Sequence, residues 1–185
     1  MVENIQADIS IELFNDLSKN YNLIPIYKVI EKGKKTPVSV YKNLKNHANT
    51  FLLESVEGNK NFARYSFIGF NPNKIIKTGD KEKFKKIDPL NKLEEQLENI
   101  KTPKLKGLPE FNSGAVGFIS YEAVSYFEPS INKIEDQTSY FPESIFFITS
   151  SLIVFDNEDN KVFIIDRKST RLNSSHRCIS YAVFC

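Results

Sequence analysis

Apolar and polar positions along the 185-residue chain change their spacing repeatedly, and each change predicts an element. Residues 9–19, ISIELFNDLSK, set Leu13, Phe14 and Leu17 at helical spacing, with Asp8 placed to cap the helix. NLIPIYKVI (22–30) reads as a strand. Its Pro25 points to a sheet edge or a bulge, because proline has no N–H to give a ladder. TPVSVYKNLKN (36–46) opens a short helix: Thr36 caps it, Pro37 suits the first helical position, and Val40, Tyr41 and Leu44 share a face. TFLLESV (50–56), RYSFIGF (64–70) and NKIIKTG (73–79) read as strands. Gly58-Asn59 and Asn71-Pro72 supply turn chemistry between them.

DPLNKLEEQLENI (88–100) predicts a helix capped by Asp88 with Pro89 at its first position and an apolar stripe of Leu90, Leu93, Leu97 and Ile100. KTPKLKGLPEFNS (101–113) is punctuated by proline and glycine as a linker is. GAVGFISYEAVSYFE (114–128) runs from a glycine-rich strand into a short helix. ESIFFITSSLIVFD (143–156) reads as one long buried strand, turned by NEDN towards KVFII at 161–165. The order is not a repeating βαβ pattern, so the predicted class is α+β: mostly antiparallel sheet with a few short helices. The last hairpin is expected to lack a further partner, which would leave an open edge.

Hydrophobic residues make up 41% of the chain and charged ones 26%, and fifteen Phe with eight Tyr argue against disorder. No apolar run is long enough for a membrane span. The N-terminus, MVENIQADIS, has acids where a signal peptide needs bases, so the expected location is the cytoplasm. The net charge of +2 sits in the last twenty residues, which hold four basic groups and one acid; without them 21 bases face 22 acids, a net of −1. Cys178, Cys185 and His176 also lie there, and the preceding 165 residues contain no cysteine and so no disulfide framework. DRKSTRLNSSH (166–176) and ISYAVFC (179–185) resemble the codon-by-codon translation of an adapter oligonucleotide used in DNA sequencing. The expected organisation is therefore a truncated body at 1–165 and a non-native tail at 166–185 that stays out of the core.

Candidate chemistry is sparse. No Walker loop, HExxH or G-x-S-x-G motif occurs, and no cysteine nucleophile precedes the tail. Gly114 and Gly117 lack the third glycine and the lysine of a phosphate loop, so close backbone packing explains them better. His47, the one histidine before the tail, follows a predicted helix end, where a cation complements the dipole. The lysines of KTGDKEKFKK (77–86) are interrupted by acids, which speaks against a nucleic-acid partner. Glu54 and Ser55 differ, because they halt an apolar strand abruptly. Either they are the exposed end of that strand, or they are placed polar groups at the rim of an apolar pocket. In the second case an amino acid with an apolar side chain would suit them.

NLIPIYKVI, TPVSVY, FLLESVEG, RYSFIGFNP and GAVGFISYEAVSYFE resemble, in this order, the N-terminal part of anthranilate synthase component I. LLES followed by RYSFIG is the specific part; the Gly-Tyr-Glu block is shared with aminodeoxychorismate synthases of the folate pathway, and YEAVSYFE departs from many relatives there. The resemblance implies an incomplete piece of that family's fold. It also implies a lyase of tryptophan biosynthesis that makes anthranilate and pyruvate from chorismate, with Mg²⁺ and with ammonia from a glutamine amidotransferase subunit. The catalytic and metal residues would lie in a C-terminal region outside this chain. The same resemblance assigns Glu54 and Ser55 to the L-tryptophan feedback site, with Arg64 lining the same region. The remaining alternatives are an aminodeoxychorismate synthase fragment and a stand-alone amino-acid-binding module. No nucleic-acid or membrane partner is expected.

Overall fold

The computed structural model describes residues 8–44, 46–55, 64–128, 130–131 and 141–169. The expected Gly58-Asn59 turn and residues 170–185 lie outside them. The chain divides into two compact units, and it passes between them more than once.

The first unit is built on a five-stranded antiparallel sheet. Its strands are β1 (Leu23–Glu31), β2 (Phe51–Leu53), β3 (Tyr65–Phe70), β7 (Ser151–Asp156) and β8 (Lys161–Ser169), in the order β1-β8-β7-β3-β2. Pro25 sits in edge strand β1, as its missing N–H requires. Helix α2 (Pro37–Asn43) starts in a capping box: the Thr36 hydroxyl accepts from Ser39 N–H at 3.1 Å and Ser39 Oγ accepts from Thr36 N–H at 3.0 Å. Its Val40 and the following Leu44 are buried against Ile68, Phe70, Ile153, Phe155 and Val162 on one face of the sheet. Alternation along the strands puts Leu152, Val154, Phe163 and Ile165 on the other face, where Leu108 and Phe111 cover them. The stretch at 101–113 is therefore a cover for the core as well as a connection. It is fastened by the Lys101 carbonyl, which accepts from the N–H groups of Asn22 and Leu23.

The second unit carries a three-stranded antiparallel sheet of β4 (Lys74–Thr78), β5 (Ala115–Ile119) and β6 (Ser144–Ile148) in the order β4-β6-β5. Helix α3 (Pro89–Leu97) is capped by Asp88 Oδ1, which accepts from Leu90 and Asn91 N–H at 2.8 and 3.2 Å. Leu93 and Leu97 pack with Phe84 on Ile76, Phe146 and Ile148. A 3₁₀ turn, Tyr121–Tyr126, follows β5.

Five expectations change. Helix α1 (Ile11–Leu17) is capped by Ser10, not Asp8, and buries no residue; Ile11 is 74% exposed. Asp8 instead accepts from Val29 N–H at 2.8 Å and pairs with Lys28 at 2.7 Å on the edge of β1, a better use of a carboxylate than an exposed cap. The stripe of α3 is shorter than read: the helix stops at Leu97, Ile100 falls in the first unit, and Leu90 is 44% exposed. Residues 143–156 are not one strand. Thr149 and Ser150 break them into β6 and β7, one in each unit, because their hydroxyls donate to the carbonyls of Gly114 and Asn71 at 3.0 Å instead of continuing a ladder. The final hairpin is not left with an open edge, since β8 lies between β7 and β1. Nor does packing stop at Ile165: β8 runs to Ser169, Leu23 pairs with Ser169, and Asp166 and Arg167 are buried. Ladder bonds join backbone groups, so β1 can pair with residues whatever their side chains.

Candidate functional site

Leu53 is the last ladder residue of β2, opposite Phe67 in β3, and beyond it Ser55 is tied to β3 by bonds that involve side-chain hydroxyls. Ser55 N–H donates to Ser66 Oγ at 3.3 Å, and Ser55 Oγ donates to the Tyr65 carbonyl. The hydroxyl proton is thus occupied, and what Ser55 presents to anything else is lone pairs. Glu54 is exposed and has no bonded partner among the described residues. The ladder ends here because the Ser55 N–H is taken by the Ser66 hydroxyl and not by a backbone carbonyl of β3. The Ser55 lone pairs and the Glu54 carboxylate both favour a cation.

Arg64 is elsewhere. Its Nε and Nη2 grip Asp156 of β7 at 3.0 and 2.7 Å as a two-pronged fork, Nη1 reaches Glu158 at 3.0 Å, and Nη2 also reaches Asp159 at 3.2 Å. Its guanidinium lies 5.0 Å from the Tyr65 ring centroid. Asp156 Oδ1 also accepts from the N–H groups of Glu158 and Asp159 at 3.1 and 3.2 Å, which fixes the turn between β7 and β8. Burial alone would raise the Asp156 carboxyl, but the Arg64 fork and the two N–H groups outweigh it and hold it below its ordinary value. The Asp156 hydrogen bonds in turn hold Arg64 above its ordinary value. Because β3 runs between β2 and β7, Ser55 bonds to β3 from the β2 side, whereas Arg64, the residue just ahead of β3, turns to Asp156 on the β7 side. Glu54 and Ser55 are neighbours; among the described residues no bond joins Arg64 to them.

The other candidates find structural work. His47 Nδ1 lies 3.3 Å from Asn71 Oδ1, and its ring meets Phe70 edge-on at 5.8 Å. Gly117 faces Phe146 across β6, where an added Cβ would sit 1.8 Å from the Ile145 carbonyl oxygen. The Gly114 carbonyl accepts from Thr149 N–H at 2.9 Å. Among the described residues no three His, Cys, Asp or Glu side chains converge as a metal site would require. A half-buried pair in the second unit was not foreseen: Tyr126 Oη donates to Glu143 Oε2 at 2.9 Å, and burial first, then that bond, raises the phenol. No spacing announces it, because the two residues meet only through the β5–β6 pairing.

Comparison with known proteins gives a consistent result. The chorismate binding enzyme family matches residues 48–182. A probable anthranilate synthase component 1 of Schizosaccharomyces pombe is 40% identical over 159 residues, covering 85% of this chain and 29% of the relative. Anthranilate synthase component 1 of Saccharomyces cerevisiae is 36% identical, covering 92% of this chain and 35% of the relative. The crystal structure of anthranilate synthase component I from Streptococcus pneumoniae is similar at 27% identity with a TM-score of 0.47, over 84% of this chain and 34% of that one. The chain spans about a third of the length of these relatives.

Proposed function

The chain belongs to the family of chorismate binding enzymes, and from that premise we propose that it is the N-terminal part of an anthranilate synthase component I. The complete protein would convert chorismate and ammonia to anthranilate and pyruvate in tryptophan biosynthesis, in the cytoplasm. A glutamine amidotransferase subunit would deliver the ammonia. Mg²⁺ would neutralise charge on chorismate in the two thirds of the relatives that this chain does not span. By itself the chain would be inactive, since transition-state positioning cannot come from groups that are absent.

The contribution of this part is feedback. Glu54 and Ser55 would hold the ammonium of L-tryptophan, the carboxylate as its counter-charge and the hydroxyl as an acceptor. The observation that carries this reading is that both present acceptors: Ser55 Oγ has already donated its proton to the Tyr65 carbonyl, and Glu54 has no bonded partner among the described residues. Arg64, neutralised by its own carboxylates, supports the start of β3 rather than the effector. An aminodeoxychorismate synthase fragment is the second reading, favoured by the shared block at 114–128. LLES with RYSFIG and the similarity to anthranilate synthase component 1 of the two yeasts favour the first.

The test is the complete enzyme read from the source gene past the codon for Ile165, assayed with chorismate, ammonia and Mg²⁺ against rising tryptophan. Ser55→Ala should leave the uninhibited rate unchanged and raise the tryptophan needed about ten- to 150-fold, the worth of a hydrogen bond to a charged group at roughly 1.5–3 kcal/mol. Reciprocity between the two sites requires that weaker effector binding appear as weaker inhibition. An unchanged inhibition curve removes Ser55 from the effector site. Aminodeoxychorismate as product establishes the second reading.

A further inference from the structure

Ser55 lies beyond the β2 ladder, so β3 rather than its own strand fixes the direction of its hydroxyl. Its proton goes to the Tyr65 carbonyl, and its N–H goes to the buried Ser66 Oγ. Tyr65 is the first residue of β3, and strand ends open before strand centres. What holds it comes from the β7 side. Tyr65 pairs with Asp156 across the ladder, the Arg64 carbonyl accepts from Asn157 N–H at 2.9 Å, and the Arg64 guanidinium forks onto the Asp156 carboxylate. The Asp156 side chain is 1% exposed, whereas Glu158 and Asp159, the other carboxylates on Arg64, are more than half exposed. A two-pronged bond to a buried carboxylate is strong and directional, and solvent-exposed ion pairs contribute little. The start of β3 therefore hangs on Asp156.

The two ties meet at Tyr65. Ser55 Oγ can accept from a cation only while its own proton stays on the Tyr65 carbonyl. If that carbonyl shifts, the hydroxyl can turn and point its proton at an incoming ammonium. We propose that Asp156, through its fork to Arg64, is a positioning residue for Ser55: it holds the Tyr65 carbonyl where that carbonyl keeps the Ser55 proton, and so sets how tightly the ammonium of an amino-acid effector is bound. This rests on the reading of Glu54 and Ser55 as the effector site, and it assigns Asp156 and Arg64 no contact with the effector itself.

The test variant is Asp156→Asn. Its amide oxygen can stand in for Asp156 Oδ1, which accepts from Arg64 Nε and from the N–H groups of Glu158 and Asp159. Its NH₂ then faces Arg64 Nη2, donor against donor, so the fork opens while the turn stays. In the complete enzyme, kcat and the KM for chorismate should keep their parent values, and the tryptophan needed for half inhibition should rise about three- to tenfold. Arg64→Lys, which keeps the charge but only one prong, should fall between parent and Asp156→Asn. Val162→Ala, which leaves a cavity in the same sheet, should inhibit like the parent, because lost stability alone does not turn the Ser55 hydroxyl. Adding Asp156→Asn to Ser55→Ala should change nothing further, since the group it positions is gone. Unchanged inhibition in Asp156→Asn, effects of the two substitutions that multiply, or an equal loss in Val162→Ala overturns the proposal. If Ser55→Ala itself leaves inhibition unchanged, the effector reading falls, and hydrogen exchange of the Ser55 N–H in the complete enzyme without tryptophan still decides whether Asp156 positions Ser55. That exchange should be at least about tenfold faster in Asp156→Asn than in Val162→Ala, and equal rates overturn the positioning role.

Discussion

Arg167 offers the sharpest test of how the first unit is held. It lies in β8 opposite Pro25, and only 6% of its surface is exposed. Nη2 donates to Thr102 Oγ1, Nε has no partner, and no carboxylate pairs with it among the described residues. The Asp166 carboxylate accepts from the Arg167 backbone N–H at 3.0 Å. A buried charge without a counter-charge is destabilising, and burial pulls this guanidinium from its ordinary value down to about 10. At 1.36 kcal/mol for each tenfold change in proton affinity, the displacement corresponds to roughly 3 kcal/mol. Arg167→Met keeps an unbranched chain of similar reach and removes the charge, while Thr102 loses one donor at a cost of about 1 kcal/mol. The variant should be more stable by roughly 2 kcal/mol, in line with apolar replacement of buried ions elsewhere. Urea unfolding at pH 7 should show its midpoint about 1 M higher, with the slope unchanged. The pH dependence has a definite sign. Below pH 10 the guanidinium is protonated in both states and the penalty is complete. As pH rises through 10 towards the guanidinium's ordinary value the folded protein loses the proton first, so the unfolded chain binds more protons and the parent gains stability. The advantage of Arg167→Met should therefore be flat below pH 10 and shrink above it. A lower midpoint for the variant at pH 7, or an advantage undiminished at pH 11, would refute the account.

Gly117→Ala should destabilise by about 1–3 kcal/mol by thermal or urea unfolding, since its Cβ would be 1.8 Å from a backbone oxygen that can yield only by shifting β6. Asp156→Asn should lower the urea midpoint most at pH 7. Because the folded carboxyl is held below its ordinary value, its contribution is present above the unfolded value near 3.8 and disappears as pH falls through the folded one, so the gap between parent and variant should narrow progressively as pH is lowered below 3.8. Asp88→Ala, which removes the acceptor for Leu90 and Asn91 N–H, should cost about 1 kcal/mol, and Asp88→Ser should recover most of it.

What the sequence determined by itself is what acts within a turn or two of chain. Thr36-Pro37 and Asp88-Pro89 start helices where expected, because a cap satisfies N–H groups two or three residues away. The existence of most strands was legible from their apolar runs, and Pro25 correctly marked an edge. The end of β2 at Leu53 was visible as the polar pair Glu54-Ser55. The break at Thr149-Ser150 had a signal too: hydroxyl residues inside an apolar run of more than a usual strand's length. Its effect was hidden, because the acceptors that divert those hydroxyls, Gly114 and Asn71, are distant in the chain. Only the tertiary structure decided that β8 joins β1, that residues 101–113 cover the core, and that Arg64 turns to Asp156 on the far side of β3 from Ser55. A strand's apolar pattern says that it has a face to bury but not which neighbour accepts its backbone bonds. Those bonds are alike at every residue, so partner and side are settled only when distant parts of the chain compete for the same edge.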